Sequence, residues 1–162
     1  RAVEPRRLLC PVWARPRQLI SVVMGPQDRF FSAEAQADFL HRPFTVTEAS
    51  DRMGLRLSGP PLPPEGALAI PSEPVMRGSV QVSGDGVATV LLADHQTTGG
   101  YPKIATLLDD DTDGLAQTRP ADPLRFQAVT PEAAVALART RAAAVARYLA
   151  ALQARPAEPL SP

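Results

Sequence analysis

The hydrophobic positions of this chain fall into short runs, most of them alternating with polar residues or unbroken over a few positions. Leu19 to Met24 is apolar and β-branched and stops at Gly25-Pro26, which predicts a strand. Phe44 to Val46 and Leu55-Arg56-Leu57 have the period of two expected of half-buried strands. Ser79 to Val82 and Val87 to Leu92 flank Ser83-Gly84-Asp85-Gly86, a hairpin signal with Asp-Gly in its turn. Leu124 to Val129 is a last strand. Helical spacing occurs twice. Ser32 is placed to cap a short helix through Leu40, with Glu34 in its first turn and Phe31, Ala35 and Phe39 on one side, and Pro43 ends it. Thr130-Pro131 opens an alanine-rich helix to about Ala154, with Leu137, Val145, Tyr148, Leu149 and Leu152 on one side. Several short strands with glycine and proline turns and few helices predict a mainly β fold, a barrel or a sandwich.

Composition narrows this picture. At 162 residues the chain is long enough for one domain with a real core. Seventeen basic and seventeen acidic residues cancel, so no overall field recruits nucleic acid or an anionic membrane. One cysteine, Cys10, excludes an intramolecular disulfide and suits a reducing, cytoplasmic setting; with no activating histidine nearby it reads as an inert thiol. No apolar run approaches a membrane span, and Arg1 to Arg17 lacks the apolar stretch of a signal peptide. Residues 1–18 are basic and proline-punctuated, a linker by composition. The first residue is Arg1, which leads us to expect a fragment whose N-terminal half is missing. The expected organisation is linker 1–18, domain 19–130, helix 131–155 and tail 156–162. Gly59 to Pro74 is crowded with prolines around the apolar piece Ala67 to Ile70, which confines it to edges and connections.

Candidate chemistry concentrates in Val90 to Thr106. A strand-like apolar run breaks into Asp94, His95, Gln96, Thr97, Thr98, Gly99, Gly100, Tyr101, Pro102 and Lys103 before the apolar pattern resumes at Ile104. A rigid scaffold presents functional groups in this way. Gly99 and Gly100 would permit positive φ and a nest of N–H groups for an anion or carbonyl oxygen, although turn formation alone would explain them equally well. Asp51-Arg52 is a candidate anion clamp or a structural ion pair. Glu73 stands between Ser72 and Pro74. If the strands close a barrel, these three segments can surround one opening. Asp109 to Gly114 resembles the first half of a calcium loop, but its twelfth position is Pro120, and a solvated acidic turn is the expectation. No phosphate loop, nucleophile elbow, dinucleotide fingerprint or zinc motif occurs, and no metal site is expected.

Ser50–Leu57 (S-D-R-M-G-L-R-L), Pro71–Val75 (P-S-E-P-V), Gly78–Val82 (G-S-V-Q-V) and Leu91–Ile104 (L-L-A-D-H-Q-T-T-G-G-Y-P-K-I) resemble the KipA family. That family is also called allophanate hydrolase subunit 2 or the biotin-dependent carboxyltransferase family, and includes the C-subunits of 5-oxoprolinases. Gly25–Phe30 (G-P-Q-D-R-F) and Leu115–Pro120 (L-A-Q-T-R-P) extend the resemblance, and His95 departs from it where arginine is common. Members are about twice this length, so the resemblance places this chain in the C-terminal half. It implies a cyclophilin-like β-barrel, here with a short helix and a long C-terminal helix. It implies part of an ATP-dependent 5-oxoprolinase acting with a KipI-type partner and the missing N-terminal half, together with a lactam-utilisation subunit. The alternatives are the carboxyltransferase component of a biotin-dependent urea carboxylase or allophanate pathway, and a non-catalytic regulator of a histidine kinase inhibitor. The unfused tail and the absence of a biotinyl-lysine M-K-M favour the first. No cofactor is expected on this chain: the complex uses ATP, or a partner presents biotin. The expected roles are Asp94, Glu73 and Lys103 in catalysis, and Arg52, Gln96, Thr97, Thr98, Gly99, Gly100 and Tyr101 in substrate binding, in a subunit inactive by itself.

Overall fold

The computed structural model describes residues 17–66 and 70–154, with the side chains of residues 153 and 154 left aside. The linker expected over 1–18, with Cys10, lies outside the described residues except for Arg17 and Gln18. So do residues 67–69 of the apolar piece in the proline-rich loop and the expected tail.

Among the described residues there are nine strands and three α-helices: β1 (Leu19–Met24), α1 (Ala33–His41), β2 (Phe44–Val46), β3 (Gly54–Ser58), β4 (Glu73–Pro74), β5 (Ser79–Val82), β6 (Ala88–Leu91), β7 (Thr98–Gly99), β8 (Lys103–Leu107), α2 (Asp109–Leu115), β9 (Pro123–Ala128) and α3 (Pro131–Ala154). Seven strands close a barrel in the order β1-β8-β5-β6-β3-β2-β9, and β4 pairs with β7 in a separate two-stranded ladder. The seam between β1 and β9 is parallel, with Ile20 opposite Phe126, while the other ladders are antiparallel. Closure leaves the barrel without free edges.

Alternation along the strands sorts the side chains. Val80 and Val82 of β5 are fully buried with Ile20, Val22, Val90 and Leu107 in the core. Ser79 and Gln81, which alternate with them in sequence, therefore project from the other face of the strand. Phe39 of α1 stacks on Phe126 at 4.4 Å between ring centroids, and Phe44 meets both edge-on at 6.1 and 5.7 Å, so the helix packs on β2 and β9 through aromatic contacts. Ser32 accepts the Ala35 N–H at 3.1 Å, the cap its position predicts. The proline-rich loop inserts Leu62, fully buried, and its N–H donates to the Gly86 carbonyl at 2.9 Å, which ties the loop to the β5–β6 turn.

The structure corrects the acidic turn expected after β8. Asp109–Leu115 is a short helix and not a solvated acidic turn. Asp111 is buried: its carboxylate accepts the Ser21 N–H at 2.8 Å and the Arg17 guanidinium at 2.6 Å, pinning α2 to the start of β1. Gln18 accepts the Arg125 N–H at 2.7 Å, so the barrel's hydrogen bonding begins one step before β1. The helix α3 forms where its sequence predicts, over Pro131–Ala154. Thr130 caps it, accepting the Ala133 N–H at 3.2 Å, but no described residue of this helix is buried. Ala134, Arg141, Ala144, Val145, Tyr148 and Leu152 are partly covered, whereas Leu137 and Leu149 of the expected apolar side are about half exposed. Arg141 reaches Asp110 at 3.6 Å. No helix among the described residues is long and apolar enough to cross a membrane.

Candidate functional site

β5 and β8 are adjacent in the barrel wall, and Gln81 pairs with Lys103 just past an irregularity in the ladder at Val80/Gln81. The register puts both side chains on the outward face. They are nonetheless buried, because the β4–β7 ladder lies over them and brings Glu73 opposite Gly99. Lys103 Nζ donates to Glu73 Oε1 at 2.5 Å, and Gln27 Nε2 donates to the same oxygen. Gln27 reaches this place because the chain leaving β1 runs beside the start of β8. The Gln27 N–H donates to the Lys103 carbonyl at 3.1 Å, and Gln27 Oε1 accepts the Lys103 N–H at 2.9 Å. Hydrogen bonds from Lys103 and then Gln27 hold the Glu73 carboxyl below the usual carboxylate range. Gln96 Nε2 donates to Gln81 Oε1 at 3.1 Å, while Gln81 Nε2 is buried and has no partner among the described residues. The centre is thus a buried ammonium, one carboxylate and three amides, under a short two-stranded cover.

Gly99 and Gly100 are needed for a different reason than expected. The described glycines with positive φ are Gly25, Gly66, Gly78 and Gly86, so no left-handed nest forms at 99 and 100. A Cβ on Gly99 would lie 2.5 Å from Gln81 Nε2, and one on Gly100 would lie 3.0 Å from the Ile70 carbonyl oxygen. Both positions are small because neighbouring chain comes close. Thr97 and Tyr101 are exposed beside the cover, and Thr98, within β7, is exposed on it. The Thr97 carbonyl accepts the Val75 N–H at 3.1 Å.

The three sequence segments do not surround one opening. Lys103 is level with Gln81, Thr89 and Arg56 in the wall. Arg52 and Asp94 lie beyond the other end of the same ladder, where Gly54 pairs with Leu91. Arg52 does not pair with Asp51. Its Nε donates to Asp94 Oδ2 at 2.6 Å and its Nη2 to Oδ1 at 3.2 Å, and the Asp94 N–H donates to the Arg52 carbonyl at 3.0 Å. This bidentate bond holds the Asp94 carboxyl low and raises the Arg52 guanidinium. Asp51 instead accepts the N–H groups of Met53 and Gly54 at 2.8 and 3.1 Å, closing the turn into β3. Asp94 therefore stands apart from Glu73 and Lys103.

Sequence reasoning passed over Gln27 and Gln81. The available signal was a glutamine at an outward position in a valine strand, and another directly after a strand-ending Gly-Pro.

A closed seven-stranded barrel, with a lysine buried on its outer wall beneath a small ladder, makes this a mainly β domain. Residues 4–128 match the family described as carboxyltransferase domain, subdomain A and B, and the chain belongs to that family. It is 37% identical over 123 residues to the C-subunit of 5-oxoprolinase from Haemophilus influenzae, covering 76% of this chain and 40% of that protein. It is 36% identical over 107 residues to the protein of the same name from Escherichia coli, covering 66% of this chain and 34% of the relative. The chain thus spans well under half the length of these relatives. In fold it is similar to the urea carboxylase of Kluyveromyces lactis, with a TM-score of 0.74 and 20% identity over 80% of this chain and 12% of that one.

Proposed function

We propose that this chain supplies the wall site of a 5-oxoprolinase-type subunit, which binds a small lactam or amide for ATP-dependent hydrolysis in a larger complex. The observation that carries the reading is the buried Lys103 ammonium, held by Glu73 and bordered by the amides of Gln27 and Gln81. A substrate carbonyl placed against Lys103 and Gln81 would find fixed donors for the negative charge that develops on its oxygen. Preorganised donors in a dry site commonly contribute the largest share of catalysis. Oε1 of Glu73 serves both Lys103 and Gln27, and the carboxyl is held low, which weakens it as a general base. Its role in this reading is to keep Lys103 charged and oriented. Asp94, bound to Arg52 at the other end of the ladder, fixes the loop that leads to β7. Gln96 fixes the Gln81 amide, and Thr97, Thr98 and Tyr101 form the rim over which substrate enters. The names of the two curated relatives support the substrate class.

A second reading is a carboxyl-transfer component that receives the ureido group of a biotin carried by a partner, and the family description favours it. The same donors would face the ureido oxygen. Both readings require further subunits, with a KipI-type chain and a lactam-utilisation chain as the proposed partners of the first.

The test uses the whole subunit that contains this chain, assembled with its partners. ATP-dependent release of glutamate from 5-oxoproline is expected, with kcat lowered about a hundredfold in Lys103→Met and the complex still assembled. A complex that ignores 5-oxoproline but consumes carboxybiotin would establish the second reading. Full activity in Lys103→Met would remove the wall site from either.

A further inference from the structure

The wall site is shut. The Lys103 side chain is only 4% exposed and Gln81 is buried beside it, and what lies over them is the β4–β7 ladder. Lys103 is also the single lysine among seventeen basic residues, so the chain's one side-chain amine sits out of contact with water. Gln81 Nε2 has no partner among the described residues. A Cβ on Gly99 would stand 2.5 Å from it, so the shut cover sets a carbon of the chain, and no acceptor, against the amide. A buried donor left unpaired is costly, and lifting the cover removes that cost.

The cover is lightly fastened. β4 and β7 have two residues each and form no ladder with the barrel strands. The Val75 N–H donates to the Thr97 carbonyl at 3.1 Å and the Ile70 N–H to the Gly100 carbonyl at 2.8 Å, which joins the two sides of the cover to each other. Among the described residues, its polar attachments to the wall are side-chain bonds: Glu73 to Lys103 and Gln27, and Gln96 Nε2 to Gln81 Oε1 at 3.1 Å. The Glu73 side chain is 41% exposed and Gln96 is exposed, so water competes for both latches. A short ladder fastened in this way opens locally while the barrel stays folded.

We propose that the β4–β7 ladder is a lid over the wall site, latched by Glu73 on Lys103 and by Gln96 on Gln81, and that a substrate reaches Lys103 only while it is lifted. The proposal rests on the wall site as the place where substrate binds. A carbonyl oxygen that enters supplies Gln81 Nε2 with the acceptor it lacks when the lid is shut on an empty site.

Because Lys103 is the only lysine, reductive methylation with formaldehyde and cyanoborohydride reports on the lid at one side chain, read from the mass of the peptide that carries it. In the full chain Lys103 is expected to react about a hundredfold more slowly than in the urea-unfolded chain, the protection given by a lid open about 1% of the time. It should still react far faster than global unfolding allows, as measured by hydrogen exchange in β1 and β9. Gln96→Ala loosens one latch without touching Lys103. It is expected to speed the modification about fivefold, the range of one hydrogen bond, with exchange in β1 and β9 unchanged. Arg139→Ala on exposed α3 is expected to leave the rate as it is. The lid is overturned if Lys103 reacts no faster than the barrel unfolds, if it reacts as fast as in the unfolded chain, or if folded Gln96→Ala reacts like the parent. The substrate reading is tested separately, by adding 5-oxoproline and ATP to the assembled complex. Protection of Lys103 there supports both, whereas a lid that opens as described without protection stands by itself and removes the lactam from the wall site.

Discussion

At position 99 the missing side chain matters because Gln81 occupies its space. Gly99→Ala is expected to push the Gln81 amide away from Gln96 and lift β7 from the wall. The checking measurement is hydrogen exchange at the Val75 amide, which should quicken while exchange in β1 and β9 stays the same. Glu73 gives a pH dependence whose sign follows from its depressed carboxyl. A carboxyl with a lower value folded than unfolded adds stability above its ordinary value of about 4.3 and loses that stability as pH falls through the folded value. The cover should therefore loosen on acidification below that range, and Glu73→Gln should already be loose at neutral pH and insensitive there. Comparing exchange at β4 across pH in the two proteins checks this. A Glu73→Gln protein with the parent's pH profile would remove Glu73 as the cause.

Among the elements, α2 shows how three consecutive aspartates can be sorted by packing. Asp111 serves Ser21 and Arg17 from a buried position, whereas Asp110 stays partly exposed beside Arg141. Burial, and then the neighbouring carboxylates Asp111 and Asp113, push the Asp110 carboxyl up. Asp111→Ala leaves the Ser21 N–H without its acceptor and should cost about 2 kcal/mol in chemical denaturation. Asp109→Ala, which no such bond involves, should cost much less. The helix α3 meets the rest of the chain along its partly covered side, where Arg141 reaches Asp110. Thr130→Ala removes its cap and should destabilise the helix by about 1 kcal/mol, visible as faster exchange in its first turns with the barrel melt unmoved.

For the whole molecule, stability resides in the closed barrel and the aromatic contact of α1 with β9. Phe39→Ala should cost roughly 3–5 kcal/mol, because the space between Phe44 and Phe126 would be left empty. A chain ending at Val129 should keep the barrel but melt below the intact one. Val129 still donates to the Val22 carbonyl, whereas the truncation removes Arg141, whose side chain is only 16% exposed where it meets Asp110. An unchanged melt would mean that the covered side of α3 adds nothing to the stability of the barrel.

What the sequence determined by itself was local. Residues 19–24, 44–46 and 79–82 were legible as strands, and 33–41 and 131–154 as helices, because period, caps and turn residues act between near neighbours. The Glu73 and Lys103 side chains were legible as candidates for the same reason: polar groups interrupting apolar runs. Closure of the barrel, the parallel seam of β1 with β9, and the union of Gln27, Glu73 and Lys103 were decided only in three dimensions. So was the separation of Arg52 and Asp94 from that union. These depend on strand register, and register is fixed by which faces many distant residues bury together. A one-residue slip in the pairing of β5 with β8 would turn Gln81 or Lys103 into the core, and no local pattern records which pairing wins.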